Sequence, residues 1–535
     1  MENLSVSLFS RTKLLVISCL LSALLLGSTT ESARILGLFA MPAPSHLMVF
    51  EALMRNLAER GHTVEVASPV QLSKAKTPNF KNVVIPVPVV DKNSFLKFLV
   101  SPENTPLHEH MALWGFANNV CETQLSSPEL RKYLSYNSSD PTSEKFDLVI
   151  VEMFFVDCLL GFAHHFDAPL IMMVSQYNMA WANDAVGNPK MMAHVPNWFL
   201  PFGRKMNFWE RLQNAVFTIG VSLYRRYVVL PEQNDIAKKF FGEEFPPLWE
   251  LEKNTSLVLL NGHPILSPIH PSVPNMVDVG GMHVMANPPP LPKDLQEILD
   301  RNEKVILFSL GSAIDADTID QERLGVILGT LAKLPCKVLW RWGSNTTDMN
   351  YLPENVHASK WLPQQSILAH PHLVAFVTHG GLLSLQEAVY HAVPIVGFPF
   401  FGDQYLNLKH AQEAGLGFKL DFRTFKKEEL VGAITDLLNN GSYLETARRL
   451  SAVFRDQPQS PLERGVFWTE YILRHGGAQH LRSPAVNLSW FEYYLLDVAS
   501  VIFAGLVSFV YIIYLVCRGL ASLVSSSKKK KSKKE

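Results

Sequence analysis

Residues 361–404, WLPQQSILAHPHLVAFVTHGGLLSLQEAVYHAVPIVGFPFFGDQ, read as strand, glycine turn, helix and second strand. Leu373 to Thr378 is an apolar, β-branched run suited to a buried strand, and Leu382 to His391 has helix-forming composition. His379-Gly380-Gly381 therefore falls at the turn between them. A helix opening there offers unpaired N–H groups and a partial positive charge, and the glycines let an anion approach the backbone closely. A diphosphate suits such a place. His379 adds a hydrogen bond or a positive charge, Ser384 a hydroxyl, Glu387 an acceptor for ribose hydroxyls, and Trp361 a flat face for a base. Asp403 and Gln404 follow the strand Ile395 to Phe398, where they can accept from and donate to sugar hydroxyls. Any one of these residues has a structural reading as a turn glycine or a core aromatic. Their combination points to a nucleotide site.

At these spacings, Trp361, Gln364, His379, Gly380, Gly381, Ser384, Glu387, Pro394, Asp403 and Gln404 resemble the signature of UDP-glycosyltransferases. The resemblance extends over essentially the whole chain and is strongest to arthropod membrane-bound members. It implies the α/β fold called GT-B, two Rossmann-like doubly wound domains facing a cleft, with the donor on the C-terminal domain and the acceptor on the N-terminal one. It also implies UDP-glucose as the usual donor, a co-substrate rather than a cofactor. Many members carry Asn where this chain has Leu383, so one contact near the phosphates is absent or supplied by backbone. Ser312, at the end of the strand candidate Val305 to Leu310, is positioned either to reach the diphosphate or to cap a helix.

Alternating strands and helices imply parallel sheets. In the first half the candidates are strands Arg34 to Phe39, Thr63 to Ala67 and Phe146 to Val151, and helices Leu47 to Glu59 and Asp157 to Phe166. Val338 to Trp342 adds a strand to the second half, and the proline-rich passage 266–292 reads as the linker. The expected organisation is a signal peptide (1–32), an acceptor domain (33–265), that linker, a donor domain (293–470), a connecting segment (471–496), a transmembrane helix (497–517) and a lysine-rich tail (518–535).

A hydroxyl acceptor is a poor nucleophile until it loses its proton, and histidine is the usual base. Ser45-His46, in the loop before the helix at Leu47, looks like the family's base position. An acid must orient the imidazole, and Glu152 and Asp157 both qualify. The triplet Asp315-Ala316-Asp317 reads as a solvated acidic loop rather than a metal site, and neither His370-Pro371-His372 nor His164-His165 has the further ligands zinc requires, so no metal is expected. Phe154, Phe155, Trp181, Met191, Met192 and Trp198 are candidates to line a lipophilic acceptor pocket or simply to fill the core.

With 535 residues, 47% hydrophobic and 18% charged, the chain has material for two cores, and its net charge of −1 argues against nucleic acid as a partner. Arg11 and Lys13 precede the apolar run Leu14 to Leu26 and small residues follow, the layout of a secretory signal. Val498 to Val516 is long enough to span a bilayer, and the lysines at 528–534 behind it put the tail in the cytosol by the positive-inside rule. This is type I topology with a luminal catalytic part. Lys531-Ser532-Lys533-Lys534-Glu535 resembles an endoplasmic-reticulum retrieval signal. At most one luminal disulfide can form among Cys121, Cys158 and Cys336, and sequons stand at Asn137, Asn254, Asn345, Asn440 and Asn487. The expectation is an inverting UDP-hexose transferase acting on small lipophilic acceptors, with homo- and hetero-oligomers left open. A transferase dedicated to one lipid or hormone, and a membrane-tethered binding protein without turnover, are the alternatives.

Overall fold

The computed structural model describes residues 32–531 except 73–75, 90, 92–93, 95–96, 99–100, 102–103, 138, 141–142, 178, 313 and 344–350. The expected signal sequence up to residue 31, the sequon at Asn345 and the end of the retrieval-like terminus lie outside the described residues.

Two parallel sheets carry the chain. Arg34–Leu38 (β1), Thr63–Ser68 (β2), Phe80–Val84 (β3), Leu148–Glu152 (β4), Leu170–Val174 (β5), Thr255–Leu260 (β6) and Met276–Asp278 (β7) pair in the order β3-β2-β1-β4-β5-β6-β7. Val305–Ser309 (β8), Lys337–Arg341 (β9), Val356–Ser359 (β10), Leu373–Thr378 (β11), Ile395–Gly397 (β12) and Gly417–Lys419 (β13) pair in the order β10-β9-β8-β11-β12-β13. Strand order reverses at β1/β4 and at β8/β11, and each reversal opens a crevice at the carboxyl ends of the strands. The first lobe carries helices Pro44–Glu59 (α1), Pro106–Leu125 (α2) and Phe208–Tyr224 (α3), the second Leu382–Tyr390 (α4) and Gln404–Glu413 (α5). Pro461–Arg474 (α6) and Leu496–Lys531 (α7) follow.

Strand side chains alternate between two apolar layers in each lobe. Leu36, Val149 and Met172 point into one layer, and Ile35, Leu148 and Ile171 into the other. Ile306, Val338 and Trp340 oppose Val305, Leu307 and Leu339 in the same way. Helices thus cover both faces, as parallel sheets require.

Several boundaries move from their sequence positions. α1 begins at Pro44, whose missing N–H costs nothing at the first helical position, so His46 sits in the first turn of a helix rather than in a loop. Glu152 is the last residue of β4, and the single helix expected over 157–166 is a 3₁₀ turn at Cys158–Leu160 followed by Gly161–His165. The expected linker contributes β7, an edge strand on the first sheet, where the nearby prolines are tolerated. α6, expected in the donor domain, packs instead on α1 and β6 of the first lobe. Val466 and Ile472 join the layer of Ile35 and Leu57, and Glu470 pairs with Arg60 and His62. The chain therefore crosses back to the lobe it started in.

Within residues 496–527 of α7 the most apolar 18-residue window has a mean hydropathy of 2.4 and none of it is buried, so this one helix among the described residues is long and apolar enough to cross a membrane. It contains the expected span. Cys121 on α2 is bonded to Cys158, Cα atoms 6.1 Å apart, while Cys336 and Cys517 are free. The bridge ties α2 to the segment leaving β4 across 37 residues of chain. A loop of that length restricts the unfolded chain by roughly 3–4 kcal/mol. Replacing both cysteines by Ala is expected to lower the unfolding free energy by about this amount, read from denaturant titration of the full chain in detergent.

Candidate active site

The second-lobe crevice is built on two glycine turns. Gly380, between β11 and α4, has φ +83°, and a Cβ there would stand 2.3 Å from Leu408 Cγ. Both conformation and space demand glycine. Gly381 is the N-cap of α4 and provides no side-chain cap, which leaves the first N–H groups of the helix for a ligand. After β8, Gly311 has φ +79°, and a Cβ there would meet the His379 ring at 2.5 Å, so the two turns lie against each other.

His379 lies between them with Nδ1 unpartnered. Burial, helped by the charge of Arg341, pushes its pKa down to about 4. At that pKa the imidazole is neutral at physiological pH, which of the two expected roles, a hydrogen bond or a positive charge, favours the hydrogen bond. The cation at this place is Arg341, the last residue of β9, which bonds the carbonyl of Gly311 and lies 3.6 Å from Asp315. Sequence reading missed Arg341, although a cation at the end of a parallel strand is the signal that finds it. Asp315 of the acidic triplet thus faces an arginine. Ser312 is exposed on the turn after Gly311.

Trp361 is 68% exposed, presenting an indole face at the rim. Behind it Gln364 Nε2 donates to Ser384 Oγ (3.1 Å) and to Glu387 Oε2 (2.7 Å), and His283 Nε2 approaches Glu387 Oε1 at 3.4 Å. Glu387 is buried and already held by these two partners. Leu383 packs against the apolar layer of the first lobe, which gives the departure from the family's Asn a physical reason: the position serves the seam between the lobes.

Gln404 is also buried, and its Oε1 accepts from the N–H groups of Phe400 (2.8 Å) and Phe401 (3.3 Å). Its carbonyl braces the loop, a correction to its expected role as an acceptor for sugar hydroxyls. Asp403 Oδ2 accepts from Asn407 Nδ2 (2.7 Å), which also donates to the carbonyl of Gly380 (3.1 Å), tying this loop to the glycine turn. Burial raises Asp403 to about 6, against the opposing pull of the Asn407 hydrogen bond and of the charge on His46. That coupling brings the two crevices face to face.

On the first lobe, His46 Nδ1 lies 2.6 Å from Glu152 Oε1, and the edge of Phe154 is packed against the imidazole at 4.7 Å. Glu152 is 2% exposed. Asp157 is elsewhere: Arg225 Nη2 donates to it at 2.7 Å and to Glu252 Oε1 at 2.9 Å, all three groups buried. Between them Phe155 takes φ +61°, which turns the chain away from the crevice after Glu152. Asp157 is thereby corrected from catalytic candidate to partner of a buried arginine. Phe154, Phe155, Trp181 and Trp198 form one aromatic cluster, with Met191 exposed and Met192 half-buried outside it. Glu109 on α2, which no motif marked, reaches across the cleft to accept from the N–H of Gly402 at 3.0 Å, and burial pushes it up to about 7.

Residues 37–531 match the family described as UDP-glucoronosyl and UDP-glucosyl transferase. The chain belongs to the UDP-glycosyltransferase family. UDP-glucosyltransferase 2 of Dactylopius coccus is 36% identical, covering 97% of this chain and 99% of its own length. A 2-hydroxyacylsphingosine 1-beta-galactosyltransferase of Rattus norvegicus is 32% identical over 94% of this chain and 92% of its own. Among solved structures, the glycosyltransferase VinC in complex with DTDP shares the fold, with a TM-score of 0.56 and 17% identity over 83% of this chain and 100% of its own. The UDP-glycosyltransferase fold is therefore the GT-B fold, and the enzyme moves a sugar from a UDP-sugar to an acceptor.

The two acids of this transferase separate experimentally. Asp157→Asn leaves Arg225 short of a buried charge and is expected to cost on the order of 3–5 kcal/mol of stability, with the shape of the pH–rate profile unchanged. Glu152→Gln is expected to keep the thermal midpoint within a few degrees while lowering kcat. Thermal unfolding and turnover of the two variants check this.

Proposed function

We propose that the enzyme transfers glucose from UDP-glucose to a hydroxyl of a small lipophilic acceptor, inverting the anomeric carbon, with His46 as general base. The observation that carries the reading is the 2.6 Å contact between His46 Nδ1 and Glu152, at a crevice that Asp403 faces from the other lobe. With Nδ1–H donated to Glu152, Nε2 holds the lone pair. It takes the acceptor's hydroxyl proton as the oxygen bonds to the anomeric carbon, and the carbon–oxygen bond to the diphosphate breaks with its electron pair leaving on UDP. Buried Glu152 stabilises the imidazolium that forms. The α4 N-terminus, neutral His379 donating a hydrogen bond, and Arg341 meet the growing negative charge on the diphosphate.

In this reading Trp361 stacks on the uracil, Gln364 and Glu387 meet the ribose, Gly380, Gly381, Ser312 and Ser384 approach the phosphates, and Asp403 and the Gln404 amide nitrogen hold the glucose. Glucose is supported by the relative of 36% identity whose name specifies glucosyl transfer. Arg341 and the helix end supply the charge neutralisation that a divalent cation provides elsewhere, so the reaction is metal-independent. The enzyme sits in the endoplasmic reticulum membrane as a type I protein with its catalytic lobes luminal. Supporting this are the apolar α7, the signal-like N-terminus and the lysine-rich end.

Microsomes carrying the chain are expected to release UDP from UDP-glucose only with a phenolic acceptor present, and as fast in EDTA as without it. His46→Ala is expected to reduce kcat by about 10²–10⁴-fold with UDP affinity unchanged; full turnover by that variant removes His46 from the mechanism. Asp403 must be ionised to accept from the sugar, so the donor KM is expected to rise as pH falls below about 6. The sign for stability is the reverse. The folded state holds the Asp403 proton more tightly than the unfolded chain, so this contribution is present at low pH and lost as pH rises through about 6.

A further inference from the structure

α3 turns an apolar face outward. Its inward residues are mixed: Val221 is buried in the first lobe's core with Phe217 packed against it, while buried Asn214 donates from Nδ2 to the carbonyls of Met192 (2.8 Å) and Val195 (2.9 Å) and accepts from the N–H of Asn197 (2.7 Å). Thr218 Oγ1 accepts from Asn197 Nδ2 at 3.2 Å. The outward face is apolar. Trp209, Leu212, Val216, Ile219 and Leu223 on α3, with Tyr227 in the turn after it, are 44% to 73% exposed. They recur every three or four residues, so they make one stripe. A helix facing water carries polar residues on that outward face. A contiguous exposed stripe of this kind marks a contact with an apolar phase or partner.

The location identifies the phase. The helix Ala180–Val186 touches α3 on one side and the 3₁₀ turn Pro484–Asn487 on the other. The join is close, since a Cβ on Gly187 would meet the Val486 nitrogen at 2.6 Å. The charges of Lys190 and Asp184 reach Tyr493, three residues before α7 begins. The segment that leads into α7 is thus seated on the same short helix that supports α3, and it exposes Trp490, Tyr494 and Leu495. Trp209 and Tyr227 mark the two ends of the α3 stripe, the residue types that settle where hydrocarbon meets headgroups.

We propose that α3 lies flat in the luminal surface of the bilayer that α7 crosses, its Trp209-to-Tyr227 face sunk among the headgroups and first acyl carbons. The proposal rests on α7 being a membrane span. An exposed apolar face is then in its proper surroundings, because it meets lipid rather than water. A tethered chain keeps this face permanently at the surface, and a bilayer therefore outcompetes a second copy of the chain for it.

Full-length chain with Cys336→Ser and Cys517→Ser, reconstituted in phosphatidylcholine nanodiscs, tests this with an NBD fluorophore on Val216→Cys and, separately, on Ile219→Cys. Glu322→Cys on the exposed second lobe is the control, and native Cys517 with Cys336→Ser reports the span itself. Lipid carrying a doxyl group near the headgroup is expected to quench positions 216 and 219 several-fold more than 322. Equal quenching at 216, 219 and 322 while Cys517 is quenched overturns the proposal and leaves the span intact. Shielding of 216 from aqueous iodide only in discs holding two chains also overturns it, in favour of a second copy. An unquenched Cys517 overturns the span and the proposal together.

Discussion

The left-handed turn at Gly380, pressed under Leu408, is the constraint on which the second lobe's site depends. Any side chain there would collide with a residue of α5 and push α4 away from β11. With glycine, the strand passes directly into the helix, and the helix N-terminus, His379 and the Gly311 turn converge on one point. The same turn offers its carbonyl to Asn407, which holds Asp403. One backbone conformation therefore fixes both the α4 N-terminus and the Asp403 loop, to which the proposed mechanism assigns the diphosphate and the sugar.

The cleft is held by unlike contacts. Leu383 is apolar and joins the first lobe's core, whereas Glu109 accepts across the cleft from the N–H of Gly402 in an environment that raises its pKa to about 7. A carboxylate so poorly solvated relies on that N–H and on the Asn104 amide for its charge. α6 adds a third link by returning the chain to the first lobe after the donor lobe is complete. Interlobe geometry thus draws on segments far apart in sequence, of which Leu383 alone among these three links lies in the signature stretch.

That distribution explains what could be read from the sequence. β11, α4 and the strands β1, β2, β4, β8, β9 and β12 were legible because apolar runs and glycine punctuation are local signals, whereas the buried β5 and β6 were missed. Edge strands β3, β7 and β13 were not legible, being short and half polar. Among site residues, Trp361 and the His379-Gly380-Gly381 turn sit where their spacing suggested, and Asp403 faces the cleft. The choice between Glu152 and Asp157 turned on the left-handed Phe155, which no pattern of polarity reveals. Arg341 was missed because a strand's terminal cation becomes meaningful only when the neighbouring strand is known to carry the glycine turn. The choice between a hydrogen bond and a charge for His379 was open in the sequence because desolvation is a property of the packed turn pair.

In the proposed mechanism a neutral His379 beside the Arg341 guanidinium divides the electrostatic work in a way that suits a cycle beginning and ending with bound nucleotide. A guanidinium contributes the same attraction to substrate and product diphosphate, so it favours binding in both states. A neutral imidazole donor strengthens its hydrogen bond as charge moves onto the leaving oxygen, so its contribution grows toward the transition state. Were His379 also cationic, the additional uniform attraction would retain UDP after transfer without lowering the barrier in proportion. Burying the imidazole between Gly311 and Gly381, with Arg341 close enough to disfavour its protonation, keeps the two functions on separate residues.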